Sequence, residues 1–234
     1  MKKNPKIIIG YSDVTAILLA VYAKTGITTY YGPAAVASFG EFPPFVDETF
    51  NYFSDIVMKK VEIPYTIKNP ASWTEEFIKW ETQNRSKKPC ANELITVNEG
   101  KSKGRLIGGN LNTMQGIWNT EYMPEIQEGD ILLIEDSLKD AAIVERSFSL
   151  LKISGVFDKV NGIILGKHER FNDLGTGRKP YEILQEVMGS VKIPVLAEFD
   201  CCHMHPMITL LIGCEVEIDA TNKTVTILSE YIGC

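Results

Sequence analysis

Short apolar runs alternate with amphipathic stretches along most of this chain. Lys6–Ile9 carries three consecutive isoleucines and reads as a short buried strand that stops at Gly10. Asp13–Lys24 then places Val14, Ile17, Leu18, Val21 and Tyr22 at helical spacing, with Gly26 as the C-cap. Ile27–Tyr31 is strand-like again and is ended by Gly32-Pro33. Val46–Lys59 predicts a second helix with Phe50, Phe53 and Val57 on one face. A strand–helix–strand–helix order of this kind implies a parallel sheet.

The rhythm breaks between Pro64 and Lys103. That stretch holds Pro64, Pro70, Pro89, Trp73, Trp80 and the polar run "TQNRSKKP". It reads as a linker with a short helix at Trp73–Glu81. From Gly104 the alternation resumes. "GRLIGGNL" is strand then turn, Asn110–Trp118 is helical, and "DILLIEDS" is a buried strand ending on acids. Ala141–Ser154 is an amphipathic helix that offers Val144, Phe148 and Leu151 to a core. "GIILG" is another buried strand, Lys179–Met188 a helix, and "PVLAEF" a strand running into "DCCHMHP". Glu215–Asp219 and Thr224–Leu228 flank "ATNK" and predict a hairpin. The fold class is therefore α/β. Three parts are expected: residues 1–62, a linker over 63–103, and a larger domain over 104–234.

Composition narrows the function classes. With 24 Lys+Arg against 30 Asp+Glu the net charge is −6, and no basic cluster offsets it, which argues against nucleic acid as a partner. Ala16–Ala23, among the longest apolar runs, is far too short to span a bilayer, and the N-terminus lacks the apolar core of a secretory signal. Five cysteines, two of them adjacent at Cys201 and Cys202, have no regular spacing. They read as reduced thiols in a cytoplasmic protein, and the adjacent pair as small apolar fillers.

Three polar residues follow buried strands at their carboxyl ends: Ser12, Glu135 and His203. Ligands in open α/β sheets bind at those ends, so the three could share one crevice. Each has a plainer reading beside that one. Ser12 is a good N-cap residue, and Glu135-Asp136 could cap the next helix. A strand-to-helix elbow would instead expose the serine oxygen and aim the next N–H at an oxyanion. "GYSD" lacks the second glycine of the familiar G-x-S-x-G, so alone it is a weak signal. His203 lies in "DCCHMHP", where Cys201, His203 and His205 would share one face of an extended chain. A zinc site is the rival there, but the set lacks a second distant Cys/His pair.

Taken together, the motifs "NPKIIIGYSDVTAILLAVYAKTGITTYYGP", "GRLIGGNLNTMQGIW", "DILLIEDS", "GVFDKVNGIILGK" and "DCCHMHPMITLLIG" resemble, in order, the LD-carboxypeptidase family of serine peptidases. The tryptophan-bearing linker and "YMPEIQEGDILLIEDSLKDA" are more similar to its microcin C self-immunity branch. The resemblance covers nearly the whole chain. It implies a Rossmann-like N-terminal domain carrying the nucleophile, and a β-rich C-terminal domain carrying the acid and base. By this resemblance Ser12 is the nucleophile, Glu135 the acid and His203 the base, with the Asp13 N–H as an oxyanion donor. Trp80, or failing that Trp73, would stack on a nucleobase, and Asn110 would lie near the substrate carboxylate. Lys167 is left between meeting a phosphate and capping its strand. The implied substrate is a small peptide or peptidyl-nucleotide, cleaved at an amide or carboxamide bond without metal or cofactor. A homodimer is expected. An LD-carboxypeptidase acting on murein tetrapeptides is the alternative.

The pattern departs from the family in places. Family members carry a substantial segment before "NPK", whereas this chain begins almost on it. The expectation is a first domain lacking its N-terminal part, and hence a third reading: a catalytically impaired fragment serving as a binding or dimerising module. Met204 stands where the family usually has Thr, and Leu211 where it has Pro, the latter expected to loosen a turn.

Overall fold

A computed structural model describes residues 3–59, 61–201 and 203–231; the Cys202 reading lies outside them. The first segment runs β1 (Ile9–Gly10), α1 (Val14–Thr25), β2 (Thr29–Tyr31) and α2 (Phe45–Phe53), the last continued by a wider π-turn over Ser54–Met58. Four short strands follow: β3 (Tyr65–Thr66), β4 (Ser72–Trp73), β5 (Cys90–Ala91) and β6 (Ile95–Asn98). The long strand β7 (Lys101–Asn110) then leads into α3 (Leu111–Ile117), β8 (Ile131–Glu135), α4 (Ala141–Ile153) and α5 (Val156–Lys159). After β9 (Gly162–Gly166), α6 (Pro180–Met188) and β10 (Val195–Phe199) come β11 (Leu210–Ile212), β12 (Glu215–Asp219) and β13 (Thr224–Ile227).

Eight strands form the large sheet, in the order β3-β13-β12-β7-β8-β9-β10-β6. Its centre, β7 to β10, is parallel, and the strands flanking it on both sides are antiparallel. Helical layers cover a parallel centre on both faces, so its strands read as unbroken apolar runs. Every residue of β8 and β9 is buried. The β12–β13 hairpin forms as expected. A separate three-stranded sheet, β1-β2-β11, holds the start of the chain: β1 and β2 are parallel, and β11 lies antiparallel to β2.

Several expectations need correction. No helix forms over Trp73–Glu81. Trp73 ends β4, paired with Cys90 of β5, Thr74 bridges to His205, and only Trp80–Thr82 makes a single 3₁₀ turn; Phe77 and Trp80 stand at helical spacing from Trp73 but are exposed, so no buried stripe drives a helix. The stretch from Pro64 to Lys103 is not plain linker: β3 and β6 from within it form the two edges of the large sheet. The first strand is Ile9–Gly10, and Lys6–Ile7 is exposed and outside it. Helix α1 buries Thr15, Leu18 and Leu19, while Ile17 is exposed; a helix apolar on nearly every side does not declare its inner face by spacing. Phe50 is largely exposed, at the rim of an aromatic cluster with Phe39 and Phe53. Leu211 is not in a turn but sits buried in β11, paired with Tyr30. Among the described residues no helix is long and apolar enough to cross a membrane.

Candidate active site

Ser12 lies between β1 and α1 with φ 58°, a left-handed conformation that costs an L-residue about 1–2 kcal/mol. It is not the N-cap. That position is Asp13, whose side chain makes no capping bond and instead accepts from Thr113 Oγ1 (3.3 Å). The sharp turn depends on Gly10, where a Cβ would approach Val14 Cγ1 to 2.7 Å. A strained backbone at a strand-to-helix junction is the geometry of a nucleophile elbow. Beside it, the Tyr11 ring packs edge-on against the His203 ring, centroids 4.9 Å apart.

Glu135 ends β8, wholly buried, and does not cap the next helix; Asp140 does that, accepting from the Ile143 N–H at 2.9 Å. Its Oε2 receives the Nδ1–H of His203 (3.1 Å). Its Oε1 receives the Tyr31 hydroxyl (2.5 Å) and Asn110 Nδ2 (3.0 Å). Burial alone would lower the His203 pKa. The hydrogen bond and charge of Glu135, with Glu169 and Asp136 beyond, outweigh that and hold it above its ordinary value. The arrangement fixes the imidazole tautomer and leaves Nε2 as the nitrogen that can take a proton.

Tyr31 comes from the first sheet and Glu135 from the large one, so the carboxylate is bound across a seam. Gly109 makes the seam possible. A Cβ there would meet Thr15 Cγ2 at 2.7 Å and Tyr31 Cε2 at 2.9 Å. The Asn110 N–H donates to Thr15 Oγ1 (3.1 Å) across the same line. Asn110 also caps α3, its Oδ1 accepting from the Thr113 N–H (3.0 Å). These bonds give Asn110 a place beside the acid that its sequence position did not disclose. Tyr31 was missed altogether, and the only signal available was an aromatic at a strand's end.

Around the dyad lie further charged groups. Asp136 is buried, accepts from the Ser137 N–H (2.9 Å) and faces Lys139 at 3.6 Å; burial raises its pKa. His168 is buried with Nδ1 on the Gly166 carbonyl (3.1 Å), and burial lowers its pKa. Lys167 is buried in an ion pair with Asp200 (2.8 Å), bonds Asn92 Oδ1 (2.8 Å) and the Glu198 carbonyl (2.5 Å), and sits over the Trp73 ring. Trp73, Lys167, His168, Tyr181, Glu198 and Met204 line a cleft of about 400 Å³. Trp80, on its 3₁₀ turn, is 63% exposed and does not line this cleft.

The LD-carboxypeptidase C-terminal domain matches residues 103–218, and the N-terminal domain of the same family matches residues 1–32. The microcin C7 self-immunity protein MccF of Escherichia coli is 53% identical over 231 residues, 98% of this chain and 67% of that protein. A carboxypeptidase-family protein of Vibrio cholerae is 52% identical over 99% of this chain and 69% of its own length. Wild-type MccF without ligand superposes with a TM-score of 0.96 at 52% identity, covering 99% of this chain and 70% of that one. MccF has also been solved with aspartyl sulfamoyl adenosine and with glutamyl sulfamoyl guanosine, and as a tryptophan-to-phenylalanine variant with adenosine monophosphate. Another MccF structure is an active-site variant in which a serine, an asparagine and a lysine are each alanine. Both halves of the family and nearly the full length of this chain are thus matched, and the chain belongs to the LD-carboxypeptidase family.

Proposed function

We propose that this protein is a serine amidase of the microcin C immunity type. It would hydrolyse the amide or carboxamide bond of a peptidyl- or aminoacyl-nucleotide. The observation that carries the reading is the buried Glu135–His203 hydrogen bond, set beside a left-handed serine elbow. His203 Nε2 takes the Ser12 hydroxyl proton as the oxygen attacks the carbonyl carbon. The Glu135 carboxylate orients the ring and stabilises the imidazolium. The Asp13 N–H faces the developing oxyanion. His203 then gives its proton to the departing nitrogen. Water, activated by the same imidazole, releases the acyl group from Ser12.

The substrate class draws on MccF, which binds aminoacyl sulfamoyl nucleosides. Trp80, exposed on its turn, offers a stacking face for a nucleobase, a demand that a short peptide does not make. Lys139, beside Asp136, is a further candidate for the substrate's charged end. The thiols of Cys90 and Cys201, which form no disulfide, fit a reducing, cytoplasmic setting.

Product analysis by mass spectrometry tests the reading. The chain and its Ser12→Ala form are incubated with a peptidyl-nucleotide bearing a terminal aspartyl carboxamide link, and with an LD-linked murein tetrapeptide. Cleavage of the conjugate that vanishes in Ser12→Ala is expected. Cleavage of the tetrapeptide alone would replace the reading with a cell-wall carboxypeptidase, and cleavage of neither by folded protein would overturn it.

A further inference from the structure

Glu41 lies in the loop before α2, remote in sequence from the residues of the dyad, yet it is buried and gathers partners from three segments. Its Oε1 accepts from its neighbour's N–H, that of Phe42 (2.8 Å), and from Gln83 Nε2 (2.5 Å). Its Oε2 meets Lys87 Nζ at 2.8 Å, and His205 Nε2 stands 3.7 Å away. Burial alone would raise the Glu41 pKa, but the bonds from Lys87, Phe42 and Gln83 bring it below the ordinary range. Gln83 and Lys87 both belong to the stretch that carries Trp80. The same stretch is closed on itself by the two-pronged Arg85–Glu76 pair (2.8 and 3.0 Å), and the Lys88 N–H also donates to Glu76 (2.7 Å). Ser86 Oγ donates to the Pro43 carbonyl, two residues past Glu41. The root of the stretch is joined to the base segment: Thr74 and His205 exchange backbone bonds of 2.8 and 3.2 Å, two residues from His203. Glu75, next along, accepts from the Arg170 N–H (2.8 Å), beside Glu169, whose carboxyl feels the charge of His203 and of Lys87.

The Trp80 stretch therefore has no helix and no long strand to hold it, but it has one buried charged anchor. We infer that the Glu41–Lys87 ion pair, with Gln83, is a latch that fixes the Trp80 loop over the His203 side of the site and so positions the nucleobase platform. This inference rests on the nucleotide reading above. A buried pair broken from one side leaves an uncompensated charge, so the loop should detach rather than relax locally. Glu41 and Lys87 act through Trp80 and are positioning residues.

Two readouts test it, using aspartyl sulfamoyl adenosine as the binding probe and trypsin, which cuts after Lys79, Arg85 and Lys87, as the loop probe. Glu41→Gln and Lys87→Met are each expected to weaken the probe's binding about tenfold or more and to open the loop to cleavage after Lys79 and Arg85. The double variant Glu41→Gln/Trp80→Ala should bind no worse than Trp80→Ala alone, because both remove one platform. In turnover of the peptidyl-nucleotide, KM should rise while kcat changes far less. Exchanging the charges, Glu41→Lys with Lys87→Glu, should restore part of the protection if the wild-type residues act as a pair. Unchanged cleavage at Lys79 and Arg85 in both single variants overturns the latch whatever the binding result. Opened cleavage together with wild-type binding by Trp80→Ala upholds the latch and overturns the nucleobase reading instead. Opened cleavage with unweakened binding in Glu41→Gln, where Trp80→Ala binds poorly, overturns the positioning role.

Discussion

Glu135 and Ser12, the proposed acid and nucleophile, sit in two kinds of surroundings. Glu135 ends a strand with neighbours on both sides, in a sheet covered on both faces, and every residue of its strand is buried. Ser12 follows a two-residue strand that pairs on one side only within a three-stranded sheet, and its own backbone is strained. The difference teaches where each task is placed. The carboxylate must hold a hydrogen-bonding pattern unchanged, and a dense parallel core does that, with the Tyr31, Asn110 and His203 bonds offsetting the cost of its burial. The serine must present an oxygen outward, and a short strand with a tight glycine turn can store the strain that exposure demands. The two regions meet at the seam of Gly109, Thr15 and Tyr31, and Tyr31 lets the softer region grip the acid of the stiffer one.

Breaking each side in turn should give graded losses. Ser12→Ala should lower kcat by about 10⁴-fold or more, measured as release of product from a peptidyl-nucleotide with the fold verified by circular dichroism. Glu135→Gln should cost about 10²–10⁴-fold through loss of tautomer control. It should also move the acid limb of the kcat/KM profile to lower pH. The sign follows from charge: Glu135 holds the His203 pKa above its ordinary value, so a neutral partner lets it fall. An acid limb that stays put in this variant would assign it to another group. By linkage, the His203–Glu135 pairing adds stability that is fully present below the ordinary histidine pKa and fades as pH rises through the raised one.

Packing distinguishes the regions next. Leu133→Ala, at the centre of β8, should cost about 2–5 kcal/mol in urea denaturation. Ile7→Ala, exposed before β1, should stay within about 0.5 kcal/mol. Comparable losses at the two sites would deny the contrast drawn here. Tyr31→Phe keeps the ring and removes one donor from Glu135. About a tenfold loss in kcat, with a near-native melting curve, is the expected result. The smallest effect runs the other way: Ser12→Gly relieves the left-handed strain and should raise stability by up to about 1 kcal/mol in the same denaturation while abolishing turnover.

What the amino-acid pattern disclosed depends on how local its cause was. The runs at Ile131–Ile134 and Ile163–Leu165 are apolar because both faces of a parallel strand are covered, and that is written residue by residue. The positions of Glu135 and His203 were legible as polar residues at the ends of such runs, and the structure joins them by one hydrogen bond. Strand β11 was not legible, since "LLIG" in isolation does not say that it pairs with Thr29–Tyr31. Nor was the Tyr31–Glu135 bond, which spans 104 positions. The Trp73–Glu81 error has a physical origin too: Trp73, Phe77 and Trp80 recur at helical spacing, while the stretch is held by Glu76, Glu41 and a strand bridge instead.

The closing of the first sheet by β11 has a consequence for the order of events during synthesis. Ser12 leaves the ribosome well before Leu210–Ile212, the strand that pairs with Thr29–Tyr31. Contacts of such sequence separation are slow to form. A nascent chain stalled before Leu210 would carry Ser12, Glu135 and His203 and still leave one edge of β2, the strand beside the Ser12 elbow, without its partner.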